Sequence, residues 1–207
     1  MGYNTDFVGH IDIHPHLNEH EQAYLSAFSD TRRWARPGGS YAVPANPVAD
    51  EATQGSYSVD RRMVAEGQPG FSCGWTPCWD GCCLGHDGVE KFYQSTRWMT
   101  YLIDHFLKPG AFAADSGLDC FEHFTFDHRL DGIVAACRRD TKELFLIRVE
   151  DSLVAEEILR SGDPDYEGWP PLAHEEFKDQ WEPPRKRRAR ATGERAKVMP
   201  LRTVAED

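Results

Sequence analysis

The chain lacks any apolar run of about 18 residues, the length that would suggest a membrane-spanning helix. Its first residues, Met1 to Asp6, also lack the basic and apolar stretches of a signal peptide. These two absences predict a cytoplasmic protein without a membrane anchor. Six cysteines are too few for a disulfide scaffold in 207 residues, so we expect reduced thiols or metal ligands.

The sequence fingerprints of nucleotide binding and hydrolysis are also missing. The chain contains no Walker A loop, no G-x-G-x-x-G after a predicted strand, no G-x-S-x-G and no H-E-x-x-H. Their absence removes the strongest sequence arguments for an enzyme. It favours a protein that acts through surface contacts rather than through covalent chemistry.

Charge is distributed unevenly along the chain. The net charge is −11, but residues 184 to 207 hold eight Lys or Arg against three acidic residues, which leaves −16 for residues 1 to 183. An acidic body repels nucleic acid and anionic lipid, so we expect no membrane partner. Nucleic acid would have to bind through the basic residues of the tail, which are Arg185, Lys186, Arg187, Arg188 and Arg190.

Periodic patterns in the first third of the chain predict a strand, a helix and a loop. Apolar and polar residues alternate over residues 7 to 14, which indicates a half-buried β-strand. Asn18 followed by Glu21 resembles a capping box and predicts a helix over residues 19 to 33. The Gly- and Pro-rich residues 35 to 70 then predict a long loop.

Further patterns predict more strands and a second helix. One short strand fits residues 40 to 43, and a hairpin turning at Asp80-Gly81 fits residues 71 to 84. Bulky residues at helical spacing predict a helix over residues 89 to 107. Three β-prone runs then predict a meander over residues 121 to 128, 132 to 137 and 143 to 149.

These elements together predict an α+β fold. We expect an antiparallel or mixed sheet of about five to six strands with two main helices packed on it, for which a ferredoxin-like arrangement is compatible. A single domain should cover residues 1 to 160. Residues 161 to 183 are rich in Pro, Trp and acidic residues and should be partly ordered, and residues 184 to 207 should form a basic disordered tail.

Six short motifs stand out within residues 1 to 152. They are PHLN at 15 to 18, TRR at 31 to 33, QPG at 68 to 70, DGVEKFY at 87 to 93, WMTYLI at 98 to 103 and FTFDH at 124 to 128. Together they resemble short motifs in uncharacterised small proteins of actinobacteria and their phages. The resemblance implies a source among those organisms, and it implies no activity, cofactor or catalytic residue.

The cysteines around the predicted hairpin turn are candidate metal ligands. A two-residue loop would place Cys78 opposite Cys83, within reach of a shared zinc ion. Cys82 and His86 lie close by in the sequence. These four residues predict a zinc site, and the alternative is a set of buried, reduced thiols.

Histidines and acidic residues elsewhere provide other candidate ligands. His10, Asp12 and His14 project from the same face of the first predicted strand, where they could bind a metal or relay a proton. The alternative is a solvated polar face. A complete zinc site at the hairpin would need a further ligand, for which the candidates are Cys120, His123 and His128.

The sequence therefore predicts a small soluble binding domain whose partner is another protein and which holds no resident cofactor. One alternative remains open at the hairpin: a zinc-stabilised domain or a zinc-dependent hydrolase. The other alternative is nucleic-acid binding through the basic tail.

Overall fold

A computed structural model describes residues 3 to 36, 38 to 44 and 60 to 163. The predictions for the basic tail and for most of residues 161 to 183 lie outside these ranges. The strands are β1 (Thr5–His14), β2 (Trp34–Ala35), β3 (Asp60–Val64), β4 (Trp75–Pro77), β5 (Cys83–His86), β6 (Arg129–Arg138), β7 (Leu144–Glu150) and β8 (Leu153–Arg160). The helices are α1 (Glu19–Asp30) and α2 (Ser95–Leu102), which continues as a π-helical turn over Ile103–Leu107.

Six of the strands form one sheet in the order β4-β5-β1-β6-β7-β8. Every neighbouring pair in this sheet is antiparallel. Strands β2 and β3 form a separate two-stranded sheet. The α+β prediction is confirmed, with an antiparallel rather than a mixed sheet, and a ferredoxin-like arrangement stays a prediction.

The hydrophobic core lies between the two helices and one face of the six-stranded sheet, which we call the inner face. Ile11 and Ile13 of β1 are buried there together with Phe28 of α1 and Trp98 of α2. Val8 points to the opposite, outer face and is largely exposed. The alternation predicted for β1 is therefore confirmed, because successive strand residues face opposite sides of a sheet.

Helix α1 begins at Glu19 because Asn18 caps it. The Asn18 side chain accepts hydrogen bonds from the backbone N–H groups of His20 and Glu21, at 2.9 and 3.0 Å. Glu21 Oε2 in turn accepts from the Asn18 N–H at 2.8 Å. This reciprocal pair is the predicted capping box. The helix ends at Asp30, earlier than predicted, because Thr31 has an extended backbone.

The second helix is shorter than predicted at its N-terminal end. Lys91 and Gln94 have φ values of 60° and 58°, and a left-handed backbone cannot continue a right-handed helix. Residues 40 to 43, predicted as a strand, form a turn and an irregular segment instead. Within the described ranges, neither helix is long and apolar enough to cross a bilayer.

The predicted meander exists, and two of its three strands are confirmed, because residues 132 to 137 lie in β6 and residues 143 to 149 largely coincide with β7. The third strand is β8, whereas residues 121 to 128, predicted as the first strand, have irregular backbone after the end of a 3-10 turn. The apolar pattern of this segment comes from core packing rather than from a strand. The rings of Phe121 and Phe124 pack edge-on against Tyr24 of α1, at 5.0 and 5.5 Å between centroids. Strand β8 was not predicted, because most of its residues are exposed and several of them are charged.

Candidate metal centre

The turn between β4 and β5 brings Cys78 and Cys83 together. The Cys78 N–H donates to the Cys83 carbonyl at 3.0 Å, and the Gly81 N–H donates to the Cys78 carbonyl at 3.1 Å. The prediction that the two cysteines lie opposite each other is therefore confirmed. The loop between them holds residues 79 to 82, so it is two residues longer than predicted.

The same turn is fixed to the rest of the domain through its backbone. The Ile13 N–H donates to the Cys82 carbonyl at 2.7 Å, and the Leu17 N–H donates to the Gly81 carbonyl at 3.0 Å. Gly81 has a φ of 71°, and a Cβ there would come within 2.8 Å of the Leu17 carbonyl oxygen. Only glycine fits this position without strain. The turn is thus held in one place before any ligand binds.

Three thiols converge at this turn. The sulfur atoms of Cys78, Cys82 and Cys83 all lie within 4.8 Å of one another, and the first two are 3.5 Å apart. Leu84 points into the core, so its neighbour Cys83 points to the outer face, and all three thiols are partly exposed. Soft sulfur ligands at this separation could hold a metal ion.

Asp80 lies at the same turn and contacts two of the cysteines. Its Oδ1 atom accepts from the Cys78 thiol at 3.0 Å and from the Cys82 N–H at 3.3 Å. Hydrogen bonds from Cys78 and Cys82 lower the pKa of Asp80 to about 2. The hydrogen bond to this carboxylate raises the pKa of Cys82 to about 11, and burial raises the pKa of Cys83.

His86 lies outside this group although the sequence offered it as a ligand. Its side chain points to the inner face, where the ring stacks on Phe92 at 5.6 Å and contacts Phe7 at 4.6 Å. Burial lowers the pKa of His86. Nε2 is buried and has no hydrogen-bond partner in the part of the chain that the structure describes.

The three polar residues of β1 share the outer face, as predicted. His10 Nε2 lies 3.3 Å from Asp12 Oδ1, and both side chains are largely exposed. His14 is exposed as well. Asp12 is the cross-strand partner of Cys83, which brings this strand next to the thiols, but its carboxylate lies outside the 4.8 Å group.

The remaining predicted ligands lie away from the turn. Cys120 is exposed in a 3-10 turn, and the His123 ring contacts the His20 ring at 4.3 Å. His128 is buried, and its Nδ1 donates to the Pro15 carbonyl at 2.7 Å. None of the three belongs to the thiol group among the described residues.

A buried ion pair joins His128 to Glu21, and the sequence did not reveal it. The His128 Nε2 atom lies 3.2 Å from Glu21 Oε1, and the two side chains are each only 1% exposed. The Thr125 N–H and hydroxyl also donate to this oxygen, at 2.7 and 3.0 Å. Both imidazole nitrogens therefore face oxygen acceptors, as in a protonated ring.

The pKa values of this pair follow from those contacts. Burial raises the pKa of Glu21, but hydrogen bonds from His128, Thr125 and Asn18 outweigh burial and lower it to about 2. Burial lowers the pKa of His128, but its bonds to Glu21 and Pro15 outweigh burial and raise it. The contacts therefore favour the charged form of each group, the carboxylate of Glu21 and the imidazolium of His128.

Comparison with known proteins gives no identification. No family model matches the chain, and neither a curated protein nor a solved structure matches it. The resemblance to proteins of actinobacteria and their phages stays a prediction.

Proposed function

We propose that the β4–β5 turn binds one zinc ion through Cys78, Cys82 and Cys83, and that the ion stabilises this end of the sheet. The observation that supports the proposal is the convergence of three sulfur atoms within 4.8 Å on one turn. Zinc takes thiolate ligands at about 2.3 Å and tolerates small departures from ideal geometry. Backbone hydrogen bonds already fix the turn, so zinc binding would mainly require the cysteine side chains to move.

The donor type supports zinc over the common hard cations. Calcium and magnesium bind oxygen ligands, whereas three thiolates suit a softer ion. Thiols must lose their protons to bind, so metal binding competes with the hydrogen bond that Cys78 donates to Asp80. Any free energy gained from the ion adds to the stability of the folded chain, because the unfolded chain does not hold the three thiols together.

We expect the purified, untagged chain to carry about one zinc ion, and removal of that ion by a chelator should lower the melting temperature. Cys82→Ser should lose most of the bound zinc, because serine replaces a thiolate with a weaker ligand. Emission spectroscopy gives the metal content, and thermal melts with and without chelator give the stability.

Cys120→Ser is the matched control, since it removes an exposed thiol that lies outside the group. It should keep the zinc and the wild-type melt. A zinc-free wild-type protein whose melt is unchanged by added zinc would contradict the proposal.

A second candidate function is protein binding, which the outer face of the sheet supports. Val8 is 73% exposed and Ile133 is 44% exposed, on the adjacent strands β1 and β6. Next to them, Arg148 of β7 and Glu157 of β8 form an ion pair at 3.1 Å. A face that mixes apolar side chains with both signs of charge can meet a second copy of itself with unlike charges opposed.

Val8→Asp tests this second candidate. We expect sedimentation equilibrium of the wild type to show a mass that rises with concentration above the 23.5 kDa of one chain. Val8→Asp should remain monomeric, because it places a charge in the apolar centre of the face. Leu118→Asp, at an exposed position outside the sheet, should behave as the wild type. A wild type that is monomeric at every concentration would contradict self-association.

A further inference from the structure

Three sulfur ligands leave one position of a tetrahedral zinc ion unfilled, and the turn contains a carboxylate that can fill it. We propose that Asp80 is the fourth ligand, so that the six residues from Cys78 to Cys83 form a complete site with three sulfur donors and one oxygen donor. The inference rests on the zinc-binding function proposed above. It assigns a ligand role to a residue that the sequence pattern marked only as part of the turn.

The distances around Asp80 support this assignment. In a tetrahedral zinc site, bond lengths of about 2.3 Å to sulfur and 2.1 Å to oxygen give sulfur–sulfur separations of about 3.8 Å and sulfur–oxygen separations of about 3.6 Å. The Cys78 and Cys82 sulfurs are 3.5 Å apart, and Asp80 Oδ1 is 3.0 Å from the Cys78 sulfur. Both separations need to grow by well under an ångström. Asp80 lies outside the group of three sulfurs within 4.8 Å of one another, so its carboxylate also has to move towards at least one of the other sulfurs when the ion binds.

The hydrogen bond at this turn also indicates where an ion would bind. The Cys78 thiol donates to Asp80 Oδ1, so the sulfur and the carboxylate oxygen face each other at 3.0 Å. A thiolate and a carboxylate at this range repel each other, and a divalent cation bound between them would remove the repulsion. Zinc would thus take the place of the hydrogen in this contact.

Other residues near the turn are less suited to the fourth position. His86 points to the inner face and packs among aromatic rings. Asp12 faces Cys83 across the β1–β5 pair, but its carboxylate lies 3.3 Å from the His10 ring and makes no hydrogen bond to a thiol within the described ranges. Asp80 is the carboxylate that bonds directly to one of the thiols.

A fourth protein ligand has a consequence for function. Catalytic zinc sites use three protein ligands and keep one position open for water, whereas structural sites use four. With Asp80 bound, the turn has no open position, so it would stabilise the fold rather than hydrolyse a substrate. An oxygen donor beside three sulfurs also favours Zn²⁺ or Cd²⁺ over Cu⁺, which prefers sulfur alone.

Asp80→Asn and Asp12→Asn test the assignment in the full-length chain. Asparagine keeps an oxygen that can accept from the Cys82 N–H, so the turn should be preserved while the charge is lost. We expect Asp80→Asn to bind zinc at least about tenfold more weakly, measured in competition with a chromophoric chelator. The visible spectrum of its Co²⁺ form should also change, and Asp12→Asn should match the wild type in both measurements.

The possible outcomes separate this inference from the proposed function. Wild-type zinc affinity and an unchanged Co²⁺ spectrum in Asp80→Asn would overturn the role of Asp80 and leave the three-thiol site standing. A wild type that binds neither Zn²⁺ nor Co²⁺ would overturn both. Asp80→Glu is a second variant in case the amide disturbs the turn, and it should recover part of the affinity because it restores a carboxylate.

Discussion

Glu21→Ala is expected to lower the free energy of unfolding by about 3 to 5 kcal/mol, because it breaks a buried ion pair and leaves the buried His128 without its carboxylate partner. The lost carboxylate accepts from Asn18 and Thr125 as well as from His128. Of these donors only His128 is buried, whereas Asn18 is half-buried and Thr125 is exposed to water, so most of the loss comes from His128. Urea denaturation of the variant and the wild type measures the difference.

Asn18→Ala is the control that separates the ion pair from the helix cap. It removes the side-chain acceptor at the start of α1 and should cost only about 1 kcal/mol. It leaves the contact between Glu21 and His128 in place. Equal losses in Glu21→Ala and Asn18→Ala would mean that the ion pair contributes nothing beyond the cap.

The pH dependence of stability provides a second measurement on the same variant. The pKa of Glu21 falls from 4.5 to about 2, so its contribution is complete above pH 4.5 and is lost as the pH falls through about 2. The pKa of His128 is raised above 6.5, so its contribution is complete below pH 6.5 and is lost as the pH rises through the raised value. The pair therefore stabilises the fold most between about pH 4.5 and pH 6.5. The free energy of unfolding of Glu21→Ala should change less than that of the wild type, both as the pH falls below this range and as it rises above it.

Trp98→Ala is expected to lower the free energy of unfolding by about 3 to 5 kcal/mol through the cavity that it leaves. The indole is fully buried and packs against Phe28 and Tyr101, at 6.2 and 5.4 Å between ring centroids. Since both neighbours are rigid rings, the cavity can close only partly. Thermal or urea denaturation measures the loss.

Phenylalanine substitutions at two tryptophans separate ring packing from hydrogen bonding. Trp75 Nε1 donates to the Ser95 carbonyl at 2.8 Å, whereas the buried Trp98 Nε1 has no hydrogen-bond partner within the described ranges. Trp75→Phe should therefore be more destabilising than Trp98→Phe by about 1 kcal/mol. If the two variants lose the same stability, the Trp75 hydrogen bond makes no net contribution.

Local patterns predicted the parts of the fold that depend on neighbouring residues. The capping box at Asn18 and Glu21 and the alternation of β1 were read directly, because each involves residues a few positions apart. Strand β8 was missed because it lies at the edge of the sheet and has few buried residues. An edge strand without a buried face lacks the alternation that sequence reading depends on.

The candidate site was predicted in part. The hairpin turn was enough to bring Cys78 and Cys83 together. The alternation of strand residues could also have excluded His86 as a ligand. Because Leu84 is buried, His86, two residues later, points to the same inner face, whereas Cys83 points to the outer face. The partnership of Glu21 with His128 depends on the tertiary packing of α1 against the segment before β6, which no local pattern encodes.

The two edges of the six-stranded sheet resist intermolecular strand addition in different ways. Strand β4 has only three residues and ends at Pro77, which has no N–H to offer an incoming strand. Strand β8 is long and has apolar side chains exposed, but Glu156 and Glu157 lie at its centre. A second β8 paired antiparallel about this centre would place carboxylates opposite carboxylates, so the edge that is long enough to seed an aggregate is also the one that repels its own copy.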